Sequence, residues 1–218
     1  MLSFGFINPF VPAFHRVNMN SYIRVLHASP NAPAVDIYAN DILIARNLSY
    51  RGFSNYLPVP PGRYNVRIYP AGQKINPVLN TSITVPERSI QTAAAIGLVP
   101  QLSLQVVNDP VIPTVPGRVL VRFVHFSPNA PSVDITLSGG SPVFQDVEYR
   151  EVTDYVPINP GTYTLYARIA GTGQQILYVP NITLKADRFY TVYAVGIAGG
   201  NPPLQALIPL DGNSYIKF

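Results

Sequence analysis

One histidine, one serine and one aspartate recur twice at the same spacing. His27, Ser29 and Asp36 lie in His27-Ala-Ser-Pro-Asn-Ala-Pro-Ala-Val-Asp36, and His125, Ser127 and Asp134 lie in His125-Phe-Ser-Pro-Asn-Ala-Pro-Ser-Val-Asp134. An imidazole, a hydroxyl and a carboxylate are the parts of a hydrolytic relay, in which the base takes the nucleophile's proton and the acid orients the base. The surroundings argue against that use. A proline follows each serine directly, and no glycine elbow brackets it. Period-two alternation places His27 on one face with Ile23 and Val25, and His125 with Val121 and Phe123. The expected role is a partly buried imidazole that bonds the Ser-Pro-Asn-Ala-Pro loop.

By the same alternation Asp36 and Asp134 point away from their valine and isoleucine neighbours. Arg24 and Arg122 each precede them by twelve residues. Two structural roles fit. One is an Arg–Asp pair on an outer face, worth ~0–1 kcal/mol if exposed. The other is a carboxylate that accepts loop amides. Calcium needs six to eight oxygens from clustered carboxylates, and Asp36, Asp41, Glu87 and Asp109 are widely spaced. Asp146, Glu148, Glu151 and Asp154 read as a solvated face. Three histidines without a cysteine make a poor zinc set. Gly171-Thr-Gly173 is a lone turn, with no helix pattern after it to cradle a phosphate. No catalytic residue, metal or cofactor is expected. Tyr38, Tyr50, Tyr149, Tyr166 and Tyr178 are candidates for exposed rings of a polysaccharide platform.

Composition fixes what must position these residues. Pro is 23 of 218 residues and would interrupt long helices. Hydrophobic residues at 47% and charged residues at only 12% exclude a disordered, highly charged chain. The net charge of +4 is scattered rather than patched, which speaks against nucleic acid. Apolar runs end well short of the ~20 residues of a spanning helix, so membrane insertion is not expected. With no cysteine, stability rests on buried core.

An internal repeat organises the chain. At a shift of 98, Arg24–Ile37 lies on Arg122–Ile135 with ten of fourteen residues identical. At a shift of 99, Tyr50-Arg51, Tyr56, Pro61-Gly62 and Tyr64 meet Tyr149-Arg150, Tyr155, Pro160-Gly161 and Tyr163. After three more inserted residues, Asp109 meets Asp211. The expected organisation is an arm at 1–20, one repeat at 21–109, a linker at 110–117 and a second repeat at 118–218. Pro110, Pro113 and Pro116 make the linker an extended, semi-rigid spacer. Strands are expected near 22–28, 34–39, 42–46, 53–57, 63–69, 80–85, 90–97 and 102–107, with matching runs in the second copy. Asn40-Asp41 and Gly139-Gly140 suit two-residue hairpin turns. Tyr64 and Tyr163, in Pro-Gly-x-Tyr, pack a ring and cap a nearby backbone group. The fold class is all-β, two tandem immunoglobulin-like or transthyretin-like sandwiches.

The motif from His27 to Asp36 with Pro61-Gly-Arg-Tyr64, and its second copy from His125 to Asp134, resembles the bacterial domain-of-unknown-function family 4397. The resemblance implies tandem β-sandwich modules of exported or cell-surface proteins, without established catalytic residues. The chain carries no evident export leader, so release from a lysing mother cell onto a spore surface is the expected alternative route. The function expected is a non-catalytic structural or adhesive module of a cell or spore surface. A binding module for carbohydrate or another small ligand is the alternative. Residues 1–15 stand outside the repeat and are conspicuously aromatic. Phe4, Phe6, Phe10 and Phe14 are expected to mediate self-association, by docking on a neighbouring copy or another surface protein.

Overall fold

The computed structural model describes residues 20–138 and 140–218. The aromatic arm with Phe4, Phe6, Phe10 and Phe14, and Gly139 of the second hairpin, lie outside them. Eight strands build the first half: β1 (Ser21–His27), β2 (Val35–Ala39), β3 (Ile42–Leu48), β4 (Leu57–Val59), β5 (Gly62–Pro70), β6 (Leu79–Val85), β7 (Ile90–Leu98) and β8 (Gln101–Asp109). Eight more build the second: β9 (Val119–His125), β10 (Val133–Leu137), β11 (Pro142–Val147), β12 (Val156–Ile158), β13 (Gly161–Ile169), β14 (Gln175–Leu184), β15 (Arg188–Val195) and β16 (Gln205–Leu207). The sheet orders are β4-β1-β7-β8 with β3-β2-β5-β6, and β12-β9-β15-β16 with β11-β10-β13-β14. The chain is all-β, two sandwiches of one topology.

Each β1-type strand pairs in parallel with the strand that follows the second sheet: Val25 lies beside Ala93 in β7, and Phe123 beside Val192 in β15. These central strands are buried along nearly their whole length because both their faces are covered. All nine residues of β7 except Leu98 are buried, as are all seven of β9. One face meets the partner sheet of its own sandwich. The other meets the second sandwich: Leu26, Ala94, Ile96 and Val107 form one cluster with Val124, Phe126, Tyr193 and Val195. The molecule is therefore four sheets deep, with the two β1-type sheets in the middle. This shared apolar face holds the halves together, and the Pro-rich linker is a secondary restraint. Asn213 donates to the Pro110 carbonyl at 3.2 Å, and the Gly117 amide to Asp187 at 2.9 Å.

The expected strand at 53–57 is displaced. Phe53 makes only an isolated bridge to Leu26, and the continuous ladder resumes with Leu57 opposite Ile23. The reason is Ser54. Its hydroxyl accepts the Val25 amide at 2.8 Å, taking the place of a backbone carbonyl and interrupting the pairing. Thr153 treats the Phe123 amide the same way at 2.9 Å. In the β2–β3 hairpin Asn40 and Asp41 have φ of 44° and 68°. A two-residue turn that follows the sheet twist needs positive φ at both positions, which asparagine and aspartate tolerate.

Candidate functional site

The most elaborate polar site lies between the sandwiches. Arg24, on the outer face of its sheet, is 4% exposed. Its Nε donates to Thr92 Oγ1 at 2.9 Å, Nη1 to the Leu210 carbonyl at 3.1 Å and Nη2 to Asp211 Oδ1 at 2.9 Å. Arg122 repeats the pattern from the other side. Its Nε donates to Thr191 Oγ1 at 2.8 Å, Nη1 to the Asn108 carbonyl at 2.6 Å and Nη2 to Asp109 Oδ1. Each half thus offers its arginine to the aspartate that ends the other half. Tyr56 donates to Asp109 and Tyr155 to Asp211, both at 2.7 Å. The same rings stack under the guanidinium groups, at 4.7 Å for Arg24 on Tyr56 and 4.6 Å for Arg122 on Tyr155.

Charge balance explains how two ion pairs survive burial. Burial opposes the Arg24 cation, but the Tyr193 and Tyr56 oxygens and the two carboxylates outweigh it and raise its pKa. Burial, with Asp109 nearby, pushes the Asp211 carboxyl up to about 6. The second lone pairs of Asp211 are satisfied by Tyr155 and by Thr191, which donates at 2.6 Å. A buried pair persists when its remaining hydrogen-bonding capacity is met in this way.

Of the two roles open to Asp36 and Asp134, this arrangement rules out the first, the pairing with Arg24 and Arg122. β1 and β2 belong to different sheets of one sandwich, so the arginine and the aspartate point out of opposite sides of it. Asp36 instead accepts the Asn47 amide at 2.7 Å and the Gly72 amide at 2.9 Å, and these two bonds lower its pKa. Asp134 accepts the Asp146 amide at 2.9 Å. Asn47 and Asp146 both have positive φ, at 48° and 50°. Both carboxylates thereby pin a bulge where β3 and β11 slip register.

His27 and His125 are each 1% exposed. Their Nε2–H groups donate to the Pro33 and Pro131 carbonyls, at 3.0 and 3.1 Å, which closes each proline-rich loop onto its strand. Burial lowers both imidazole pKa values, and the loop carbonyls only partly offset this. Ser127 donates to the Gly196 carbonyl at 2.7 Å, whereas the buried Ser29 hydroxyl and His125 Nδ1 find no hydrogen-bond partner among the described residues. Tyr64 and Tyr163 donate to the carbonyls of Pro60 and Asn159, both at 2.7 Å. Among the described residues no group of three or more acidic, histidine or cysteine side chains is placed to hold a metal.

The tyrosines split into two groups. Tyr50 and Tyr149 are half-buried, edge-on to the His27 and His125 rings at 6.2 Å, and packed against the cluster between the sandwiches. They are not available as an exposed platform. Tyr178 is 54% exposed and meets Tyr166 at 5.4 Å, with Arg168 over the Tyr166 ring at 5.0 Å. Tyr38 meets Tyr69 at 5.6 Å and carries Lys74 at 4.7 Å.

The first sandwich also holds a cavity of about 480 Å³ between its sheets. Its walls are apolar side chains, among them Ile23, Val25, Ala39, Val66, Ala93 and Leu104. It opens between the edge strands β3 and β4, where Ile42 is 69% exposed. The space beside Phe123 in the second sandwich amounts to about 10 Å³.

Sequence reasoning passed over Asp109, Asp211, Tyr56, Tyr155, Thr92 and Thr191. The signal was present in the repeat itself, since Tyr56 falls on Tyr155 and Asp109 on Asp211. It could not say that each arginine would cross to the other copy.

No curated protein matches the chain. Among solved structures it is similar to the C-terminal domain of AlgF from P. aeruginosa, at 12% identity over 42% of this chain and 99% of that one, with a TM-score of 0.32. It is similar to a putative cell adhesion protein from Bacteroides uniformis at 10% identity, over 88% of this chain and 98% of that one, with a TM-score of 0.30. A family CBM26 module of Eubacterium rectale Amy13K, solved with maltoheptaose, gives 9% identity over 88% and 96%, with a TM-score of 0.26. Scores at this level bear on neither activity nor ligand. The profile of DUF4397, a domain of unknown function, matches residues 21–136 and again 137–215. With most of both sandwiches covered, the chain belongs to the DUF4397 family.

Proposed function

We propose that this protein is a non-catalytic structural module of a bacterial cell or spore surface, a rigid two-sandwich block that associates with further copies of itself. The observation that carries this reading is the reciprocal exchange of Arg24 to Asp211 and Arg122 to Asp109. The most polar groups of the repeat are committed to fixing one half against the other. Such an arrangement makes a stiff building block and leaves Arg24, Arg122, Asp109 and Asp211 unavailable to a substrate. His27, Asp36 and their counterparts are likewise held in loop and bulge contacts. Immunogold labelling of intact spores and vegetative cells tests the location. Label on the outer surface is the expected result, and label confined to vegetative cytoplasm would reject it.

A second reading, binding of carbohydrate, is favoured by one observation. Tyr178 and Tyr166 form a ring pair on an outer sheet face, beside Arg168. Exposed rings stack on sugar faces. A glycan array with the intact protein and Tyr178→Ala separates the readings, because specific binding abolished by that change supports the second.

A further inference from the structure

The outer sheet of the first sandwich carries a charge pattern that its counterpart lacks. In β5 the side chains of Val66 and Ile68 enter the core, so alternation gives Arg63, Asn65, Arg67 and Tyr69 to the outer face. Neighbouring strands continue that face: Arg67 lies between Tyr38 of β2 and Asn80 of β6, and Asn65 lies beside Ser82. Arg46 of β3 and Lys74 of the β5–β6 loop complete it. Seven basic residues are described between positions 20 and 117, and four of them, Arg46, Arg63, Arg67 and Lys74, gather here. The second repeat has Gln145, Thr162 and Tyr166 in place of the three arginines. Its loop at 170–174 has five residues against the eight of 71–78, and none of the five is charged.

Most of this charge is left unmatched. Asp41 pairs with Arg67. Asp36 faces Arg46 and Lys74 across a hollow, but its two oxygens accept the Asn47 and Gly72 amides. Among the described residues no carboxylate is in ion-pair contact with Arg46, Arg63 or Lys74. Residues 1–19 contain no aspartate or glutamate, so no counter-charge comes from their side chains either.

The shape of the face suits a polymer. One hollow of about 530 Å³ is lined by Asp36, Tyr38, Arg46, Asn47, Gln73 and Lys74. A second, of about 610 Å³, is lined by Asn40, Arg63, Asn65, Asn80 and Ser82. Four residues of β5, about 13 Å, separate Asn65 from Tyr69, the ladder partner of Asp36. Guanidinium forks and an ammonium hold carboxylate or phosphate groups. Amide and hydroxyl side chains both donate to and accept from sugar hydroxyls. Stacked bases need open rings, but Lys74 sits over the Tyr38 ring at 4.7 Å and Tyr69 is buried. The chemistry therefore favours a polymer of hydroxyls and acid groups over a nucleic acid.

We propose that the outer sheet of the first sandwich binds an acidic polysaccharide, whose acid groups are held by Arg46, Lys74 and Arg63 and whose hydroxyls meet Gln73, Asn65 and Asn80. The proposal goes beyond the reading of the protein as a structural block and does not depend on self-association. It also names a different face from the Tyr178 ring pair.

Affinity electrophoresis of the full-length protein tests it, with polygalacturonate as the carboxylated polymer, a glycerol-phosphate polymer as the phosphorylated one and dextran as the neutral one. Retardation by an acidic polymer that weakens as salt rises, with none by dextran, is the expected result. Which acidic polymer retards the protein more identifies the acid group. Arg46→Gln with Lys74→Gln removes two exposed cations and should weaken binding about tenfold or more, with an unchanged circular dichroism spectrum. Lys185→Gln with Lys217→Gln removes the same charge elsewhere and should leave binding within about twofold of the intact protein. Equal losses in the two double variants would show that binding follows net charge, which overturns the site. No retardation by either acidic polymer overturns the proposal. So does a single-stranded oligonucleotide that binds more tightly than both polymers and depends on Arg46 and Lys74.

Discussion

The two sandwiches share strand order, loop closures and polar anchors, and differ in how they fill themselves. In the first, Val25 and Ala93 leave the interior open. In the second, Phe123 and Val192 occupy the corresponding ladder positions, and Phe123 is fully buried. The positions that hold the halves together were kept alike: Arg24 with Arg122, Tyr56 with Tyr155, Asp109 with Asp211. Polar networks tolerate little change, because losing one partner strands another buried group. Apolar volume is freer to drift, because the neighbouring side chains can adjust to a change of a methyl or two.

The largest effect expected from breaking this scheme is at the junction the halves share. Asp211→Ala leaves Arg24 buried without its carboxylate, and a loss of about 3–5 kcal/mol is expected. Asp109→Ala acts on Arg122 in the mirrored site and should cost a similar amount. Denaturant titration of both variants checks this, and a difference of several kcal/mol between them would show that the exchange is not symmetric. Replacing Arg24 with Met and Asp211 with Leu together should cost much less than either single change, since no charge is then stranded.

Next in size is the core contrast. Phe123→Ala should cost about 3–5 kcal/mol, because it opens a cavity in a filled interior. Val25→Ala, at the equivalent place, removes less side chain from a wall that already borders empty space, so a loss of about 1–2 kcal/mol is expected. Thermal unfolding of the two variants orders them, and equal losses would contradict a hollow first sandwich.

The pH dependence is smaller and has two opposing parts. Burial holds His27 and His125 below their usual 6.5. The folded chain then binds fewer protons than the unfolded one below about pH 6.5, so stability is lost as the pH falls through that range. Asp211 is held up at about 6 from a usual 3.8, so across that window the folded state binds more protons and stability rises as the pH falls. His27→Gln with His125→Gln removes the first part only. Relative to the intact protein, the double variant should gain stability between pH 7 and pH 5, read from denaturant midpoints.

The smallest effect, and the one with the opposite sign, concerns filling the hollow. Ala93→Val copies Val192 and should stabilise the first sandwich by about 0.5–2 kcal/mol. A clear loss in melting temperature would mean that the space around Ala93 is already committed.

The repeat, the β class and most strands were legible because they are local or periodic properties. Alternation of Ile23, Val25 and His27 shows which residues share a face, and Asn40-Asp41 carries its own turn chemistry. Alternation also put Arg24 correctly on the opposite face. What it could not supply was the partner across that face. A charge pair joining residues 187 apart depends on how two folded bodies meet, and Asp36, twelve residues away, is nearer in sequence but belongs to the other sheet. The cavity was hidden for a similar reason. Valine and alanine read as ordinary core residues, and whether they fill a space depends on the distance between sheets and on what faces them. Composition, period and repeat are written residue by residue in the chain. The reciprocal clasp and the hollow first sandwich belong to the tertiary structure, because both arise only when surfaces distant in sequence are brought against each other.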